Sequence, residues 1–171
     1  MSRPLLLPHA PASVTSARRS LCSALEAAGV SEARVDDATL VLSELMSNAL
    51  RHAAPLPEPF PPGSVGVSWK VAAGSLEIAI CDGGSESLPR IARPSISALG
   101  GRGLGIVERI ATRWGTEVDD QVTTVWAILD LSAQGVESAG EEVASGSPEA
   151  ARPEAWNSGA SMCCEPQITG A

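Results

Sequence analysis

The chain has 171 residues, 44% of them hydrophobic, and a formal net charge of −8. That length and apolar content suffice for one domain with its own core, while an acidic chain with no basic stripe argues against direct nucleic-acid binding, which neutralises phosphates with Lys and Arg. No run approaches the ~20 apolar residues of a transmembrane helix, and the N-terminus lacks a signal-peptide pattern, so a cytoplasmic protein is expected.

Leu5-Leu-Leu7 is a candidate edge strand, and Ser13 to Ala28 has helical periodicity with Gly29 as its stop. Ser31 opens a second helix, which carries Leu40-Val-Leu-Ser-Glu-Leu-Met-Ser-Asn-Ala-Leu-Arg-His-Ala53. The proline-rich Ala54 to Gly63 reads as a stiff, extended surface segment. Ser64 to Val71 alternates as a strand, Ala73-Gly74 turns, and Ser75 to Cys81 returns. Beyond Asp82-Gly-Gly84 comes the segment Ser85 to Gly100, then a predicted helix from about Arg102 to Trp114, and strands around Glu117 to Asp119 and Thr123 to Leu131. Helices on one face of a mixed, mostly antiparallel sheet give an α+β, two-layer sandwich.

Within the second helix Glu44, Asn48 and His52 recur every four residues and stack on one face, beside an apolar face that includes Leu42, Leu45, Met46 and Ala49. A carboxylate beside an amide oxygen at the edge of a core is a plausible base and magnesium ligand. Taken alone, the stripe reads first as an ordinary solvent-facing helix edge. Asp82-Gly-Gly84 alone reads as a turn after a strand. Gly100-Gly-Arg-Gly-Leu-Gly105 is a glycine-rich loop entering a helix, whose first amides can face phosphate oxygens. It is not a P-loop, because the chain's single lysine is Lys70. Nor is it a dinucleotide fingerprint, because Pro94 to Ala98, just before it, does not read as a strand.

In this order and at these separations, the three stretches resemble the N, G1 and G2 boxes of the GHKL ATP-binding superfamily, which contains gyrase, heat-shock chaperones, histidine kinases and mismatch-repair ATPases. Ser43 to Ala53, Gly101 to Val107 with Arg113-Trp-Gly115, and Thr124 to Ala127 look like its small branch of anti-sigma-factor serine kinases and their actinobacterial relatives. The resemblance runs from about Leu6 to Leu131 and implies the Bergerat-type ATP-binding fold, with ATP and magnesium as cofactors. It implies Glu44 as general base and Asn48 as the magnesium ligand. Asp82 would be the acceptor for the adenine amino group, and Gly84 would give the base close access. Gly101, Arg102, Gly103, Leu104 and Gly105 would form the phosphate loop, and Thr124 would sit near adenine. His52 belongs to the box without an assigned catalytic role, and Arg90, Arg93 and Arg102 come within reach of phosphate. Two departures stand out: Glu86 takes the place of a glycine of the G1 box, and Val122-Thr123 replaces a Gly-Lys pair.

Residues 132–171 hold one basic and six acidic residues, net −5, and lose the apolar period, so a disordered acidic tail is expected after a domain of residues 1–131. Cys22, Cys81, Cys163 and Cys164 have no metal-ligand spacing and are expected to be free thiols. Three functions fit. The resemblance implies a serine/threonine kinase that sequesters a sigma factor and phosphorylates a small antagonist protein, with a homodimer possible by analogy. A non-catalytic, ATP-dependent protein-binding module shares every binding residue. A catalytic domain serving a separate histidine-bearing protein fits least, because no helical hairpin with an acceptor histidine is linked to it.

Overall fold

The computed structural model describes residues 4–85 and 103–132. In chain order they form β1 (Leu5–Pro8), α1 (Ala12–Ala27), α2 (Glu32–His52), β2 (Ser64–Ala72), β3 (Ser75–Asp82), α3 (Gly103–Ile110), β4 (Arg113–Asp119) and β5 (Val122–Asp130). Glu86, which stands where the G1 box has a glycine, lies outside the described residues, as do Arg90, Arg93, Gly101, Arg102, the tail beyond Ser132 and the Cys163-Cys164 pair.

Helix α1 stops where glycine predicts. Gly29 takes φ +74°, and the Val30 N–H donates to Leu25 O at 3.0 Å while the Gly29 N–H donates to Glu26 O at 2.9 Å, which satisfies two carbonyls of the last turn. Helix α2 begins after Ser31, with Glu32 in its first turn and Arg51 and His52 in its last, signs that suit the helix dipole. Its buried stripe, Val35, Ala38, Leu42, Leu45, Met46 and Ala49, lies against the sheet. Each fully buried Leu or Met contributes roughly 1.5–3 kcal/mol.

The five strands are ordered β1-β2-β3-β5-β4, and every pairing is antiparallel. The β2–β3 hairpin turns through Ala73 and Gly74, both at positive φ, the geometry whose twist matches the strands. The core is a single layer between helices and sheet, in which Val65, Val67, Leu76, Ile78, Ile80, Ala127 and Leu129 meet α1, α2 and α3. This is the two-layer α+β sandwich, and it is fully antiparallel among the described residues.

The third helix is shorter than predicted. It ends at Ile110, and Trp114 belongs to β4. The Ala111 N–H closes the last turn on Val107 O, after which both the N–H and the hydroxyl of Thr112 donate to Ile128 O, at 2.8 and 3.0 Å. Pairing with β5 therefore takes over from the helix. No helix among the described residues is long and apolar enough to cross a membrane.

Candidate functional site

Helix α2 carries Glu44 and Asn48, both half-buried, and ends on an exposed His52. Two residues further on, the backbone is joined to the end of β3. The Ala54 N–H donates to Gly84 O and the Gly83 N–H donates to Ala54 O, each at 2.8 Å. Asn48 lies five residues before Ala53, so it stands ~7.5 Å along the helix axis from this junction. The C-terminal end of α2 is thereby tied to Gly83-Gly84, with Glu44 one further turn back along the same helix face.

Asp82 is the last residue of β3 and is 3% exposed, on the face turned toward the helices. Its Oδ1 accepts from the Gly84 N–H at 2.8 Å. No other hydrogen bond to this carboxylate is found among the described residues, which leaves Oδ2 able to accept from a ligand. Burial pushes the carboxyl up from 3.8 to about 6; the Gly84 N–H and the nearby His9 pull in the opposite direction. His9 follows β1, its N–H donates to Gly63 O at 2.7 Å, and its Nε2 is buried without a hydrogen-bond partner among the described residues. Sequence reasoning assigned His9 no role. Its place beside Asp82 comes from the β1–β2 pairing, which no local pattern signals.

Both glycines after Asp82 are required. Gly84 has φ +74°, and a Cβ there would stand 3.0 Å from Thr123 Oγ1. A Cβ on Gly83 would stand 2.2 Å from Pro55 O, against backbone that has no room to give. The importance of Gly83 was missed because its constraint is the incoming proline-rich loop.

The threonine beside Asp82 is Thr123, which corrects the expectation for Thr124. Asp82 is the cross-strand partner of Thr123, whereas Thr124 pairs with Cys81 and is 3% exposed on the opposite face. The Thr124 hydroxyl lies 3.3 Å from Cys81 Sγ. Since partners across a ladder share a face, one residue of register decides which hydroxyl reaches the pocket. Cys81 also departs from expectation: it is disulfide-bonded, while Cys22 is a free thiol.

Of the phosphate-loop residues, Gly103, Leu104 and Gly105 form the first turn of α3, which packs on α2. A Cβ on Gly105 would meet nothing within 4 Å, so that side of the turn is open to a ligand. Leu104 is different: it is 6% exposed and packed in the helix–sheet core, so only its backbone is available to phosphate. A cleft of about 620 Å³ lies elsewhere, between Pro57–Phe60 and Asp119–Val122. Its carboxylates, Glu58, Asp119 and Asp120, would repel a triphosphate.

Residues 7–129 match the family model described as the histidine kinase-like ATPase domain. Among solved structures, the chain is similar to the RsbU and RsbW domains of Rv1364c from Mycobacterium tuberculosis. The two share 17% identity at a TM-score of 0.54, over 75% of this chain and 32% of that one. The chain thus spans about a third of that protein, and the likeness is one of fold. No curated protein sequence matches.

Proposed function

Because this chain belongs to the histidine kinase-like ATPase domain family, whose members bind ATP with magnesium, we propose that it is an ATP-dependent serine/threonine protein kinase acting as an anti-sigma factor. Its partners would be a sigma factor and a small antagonist protein that accepts the phosphate. The observation that carries the nucleotide reading is the buried Asp82 carboxylate, with one oxygen held by Gly84, the other open, and Thr123 beside it. An ionised carboxylate has no donor, so it accepts from the adenine amino group and repels the guanine oxygen.

The residues present fit such a ligand. Asp82 and Thr123 would receive the base, Gly84 would let the backbone approach it, and the first turn of α3 with Gly103 and Gly105 would face the phosphates. Asn48 would offer its amide oxygen to magnesium. ATP supplies the phosphoryl group. Glu44 would accept the proton of the attacking serine or threonine hydroxyl, and it stands one helical turn from Asn48, on the same face.

Calorimetric titration of ATP with magnesium into the intact protein and Asp82→Asn, with GTP as control, tests the nucleotide reading. Binding of ATP but not GTP, abolished by the substitution, is expected; equal binding of both nucleotides would refute it. Glu44→Gln tests the kinase reading. Phosphotransfer to a candidate antagonist should fall ~10²–10⁴-fold with ATP affinity little changed. If ATP binds and no phosphate is transferred by the intact protein, the chain is a nucleotide-dependent binding module.

A further inference from the structure

His9 continues the β1–β2 ladder past the end of β1, since its N–H donates to Gly63 O at 2.7 Å. Strand parity puts it on the helix side of the sheet, with Leu5 and Leu7, which pack against the helical core. Asp82 occupies that same face. Leu7 pairs with Val65, and Gly66 pairs with Cys81, so Val65 stands level with Asp82 and β2 alone separates β1 from β3. The backbones of β1 and β3 are therefore ~10 Å apart. The residue of β2 opposite His9 is Gly63, where even an added Cβ would meet nothing within 4 Å, so no side chain at that level stands between imidazole and carboxylate.

The backbone is held on both sides of this histidine. The Ala10 N–H donates to Pro8 O at 2.8 Å and the Ser13 hydroxyl donates to the same carbonyl at 2.6 Å, which ties the segment to the first turn of α1. The imidazole Nε2 is buried and makes no hydrogen bond among the described residues, so what the ring offers its surroundings is charge. Among the described residues His9 is the one group whose charge acts on Asp82. The charged groups of the other neighbouring elements do not act on it: Glu44 and His52 of α2, Glu58 of the proline-rich loop, and Asp119 and Asp120 of the β4–β5 turn. Arg18 and Arg19 of α1 line the groove on the solvent side of the helices.

We propose that His9 is a positioning residue of the base site, whose charge holds the Asp82 carboxylate in the ionised form that accepts from adenine. This rests on the nucleotide reading of Asp82. A protonated Asp82 carries an O–H, which meets the adenine amine donor to donor and can donate to the guanine oxygen instead. The proton on this one carboxyl therefore decides both affinity and choice of base. Burial favours the neutral acid; the Gly84 N–H opposes it through Oδ1, and the His9 imidazolium opposes it from across β2. Without the His9 charge, burial is less opposed and a larger share of Asp82 stays protonated near pH 6.

The test follows the Asp82 carboxyl carbon by NMR as a function of pH in the ligand-free, full-length protein, in His9→Gln and in His9→Lys, with the signal assigned by its absence from Asp82→Asn. Removing the charge in His9→Gln should raise the midpoint from about 6 by roughly 0.5–1 unit. His9→Lys, which keeps a cation, should leave it no higher than in the intact protein. Calorimetric titration with ATP and magnesium, and with GTP, reads the consequence for the site. At pH 6, ATP should bind about 2–5-fold more weakly to His9→Gln than to the intact protein, as the smaller ionised share requires, and GTP no more weakly. The difference for ATP should close by about pH 8, a dependence that a merely structural loss would not show. Comparing the two proteins at each pH cancels the titration of the nucleotide itself. The proposal is overturned if the midpoint in His9→Gln equals that of the intact protein, if His9→Lys rises with His9→Gln, or if the loss of ATP affinity persists undiminished at the higher pH. A raised midpoint in a protein that binds no ATP at any pH refutes the nucleotide reading instead, and with it the part of His9 in base choice.

Discussion

Asp82 is a carboxylate that the fold has taken out of water, and its proton affinity shows the cost. Folding raises its pKa from 3.8 to about 6, so the native state holds the proton more tightly than the unfolded chain. Its stabilising contribution is complete below about pH 4 and is lost as pH rises through about 6. Asp82→Asn should therefore stabilise the ligand-free protein at pH 7.5, by up to about 3 kcal/mol for a two-unit shift. The gain should fade toward pH 4, and urea unfolding at both values checks it. The adjacent threonines give a second prediction. Thr123→Ala should weaken ATP binding about 2–10-fold, as expected for one lost hydrogen bond of ~0.5–1.5 kcal/mol, while Thr124→Ala leaves it unchanged. Composition could not choose between the two residues, because both favour a strand equally. The choice depends on parity against Asp82, a pairing across the sheet that neither strand specifies by itself.

Legibility among the elements follows the range of the interactions. Helix α2 and the β2–β3 hairpin could be read locally, from a stripe every three to four residues and from Ala73-Gly74 between two alternating runs. The end of α3 could not, since Ile110, Ala111 and Trp114 keep a helical period and what stops the helix is Thr112 bonding to Ile128 on a distant strand. Leu104 illustrates the same limit: a motif places it among the phosphate residues, and packing places its side chain in the core. Leu104→Ala should cost about 2–5 kcal/mol of stability, measured by denaturant unfolding, with ATP affinity nearly unchanged well below the unfolding transition. Gly83→Ala should act differently, because the new methyl meets the Pro55 carbonyl and forces the loop off β3. A loss of about 1–3 kcal/mol is expected, together with weakened ATP binding from the displaced Asp82-Gly84 turn.

For the whole molecule, the order of motifs along the chain made the two-layer architecture legible, but not the order of strands. Strand β5 enters between β3 and β4, and this insertion places Thr123 beside Asp82. A ligand that binds only the folded chain stabilises it by mass action, by ~2.7 kcal/mol at 100 times its Kd. ATP with magnesium should therefore raise the melting temperature by several degrees and GTP should not. Asp82→Asn should lose the increment, which differential scanning calorimetry would register.

The backbone bonds between Ala54 and Gly83-Gly84 also make α2 a lever with a fixed pivot. Asp36 lies 17 residues from Ala53, ~26 Å along the helix. A tilt of about 3° about the joined end sweeps Asp36 through ~1.3 Å while moving Asn48 by only ~0.4 Å. Asp36 borders the groove that Arg18, Arg19 and Cys22 of α1 line. A displacement at the Asn48 end of the helix is thus magnified threefold where α1 and α2 meet solvent.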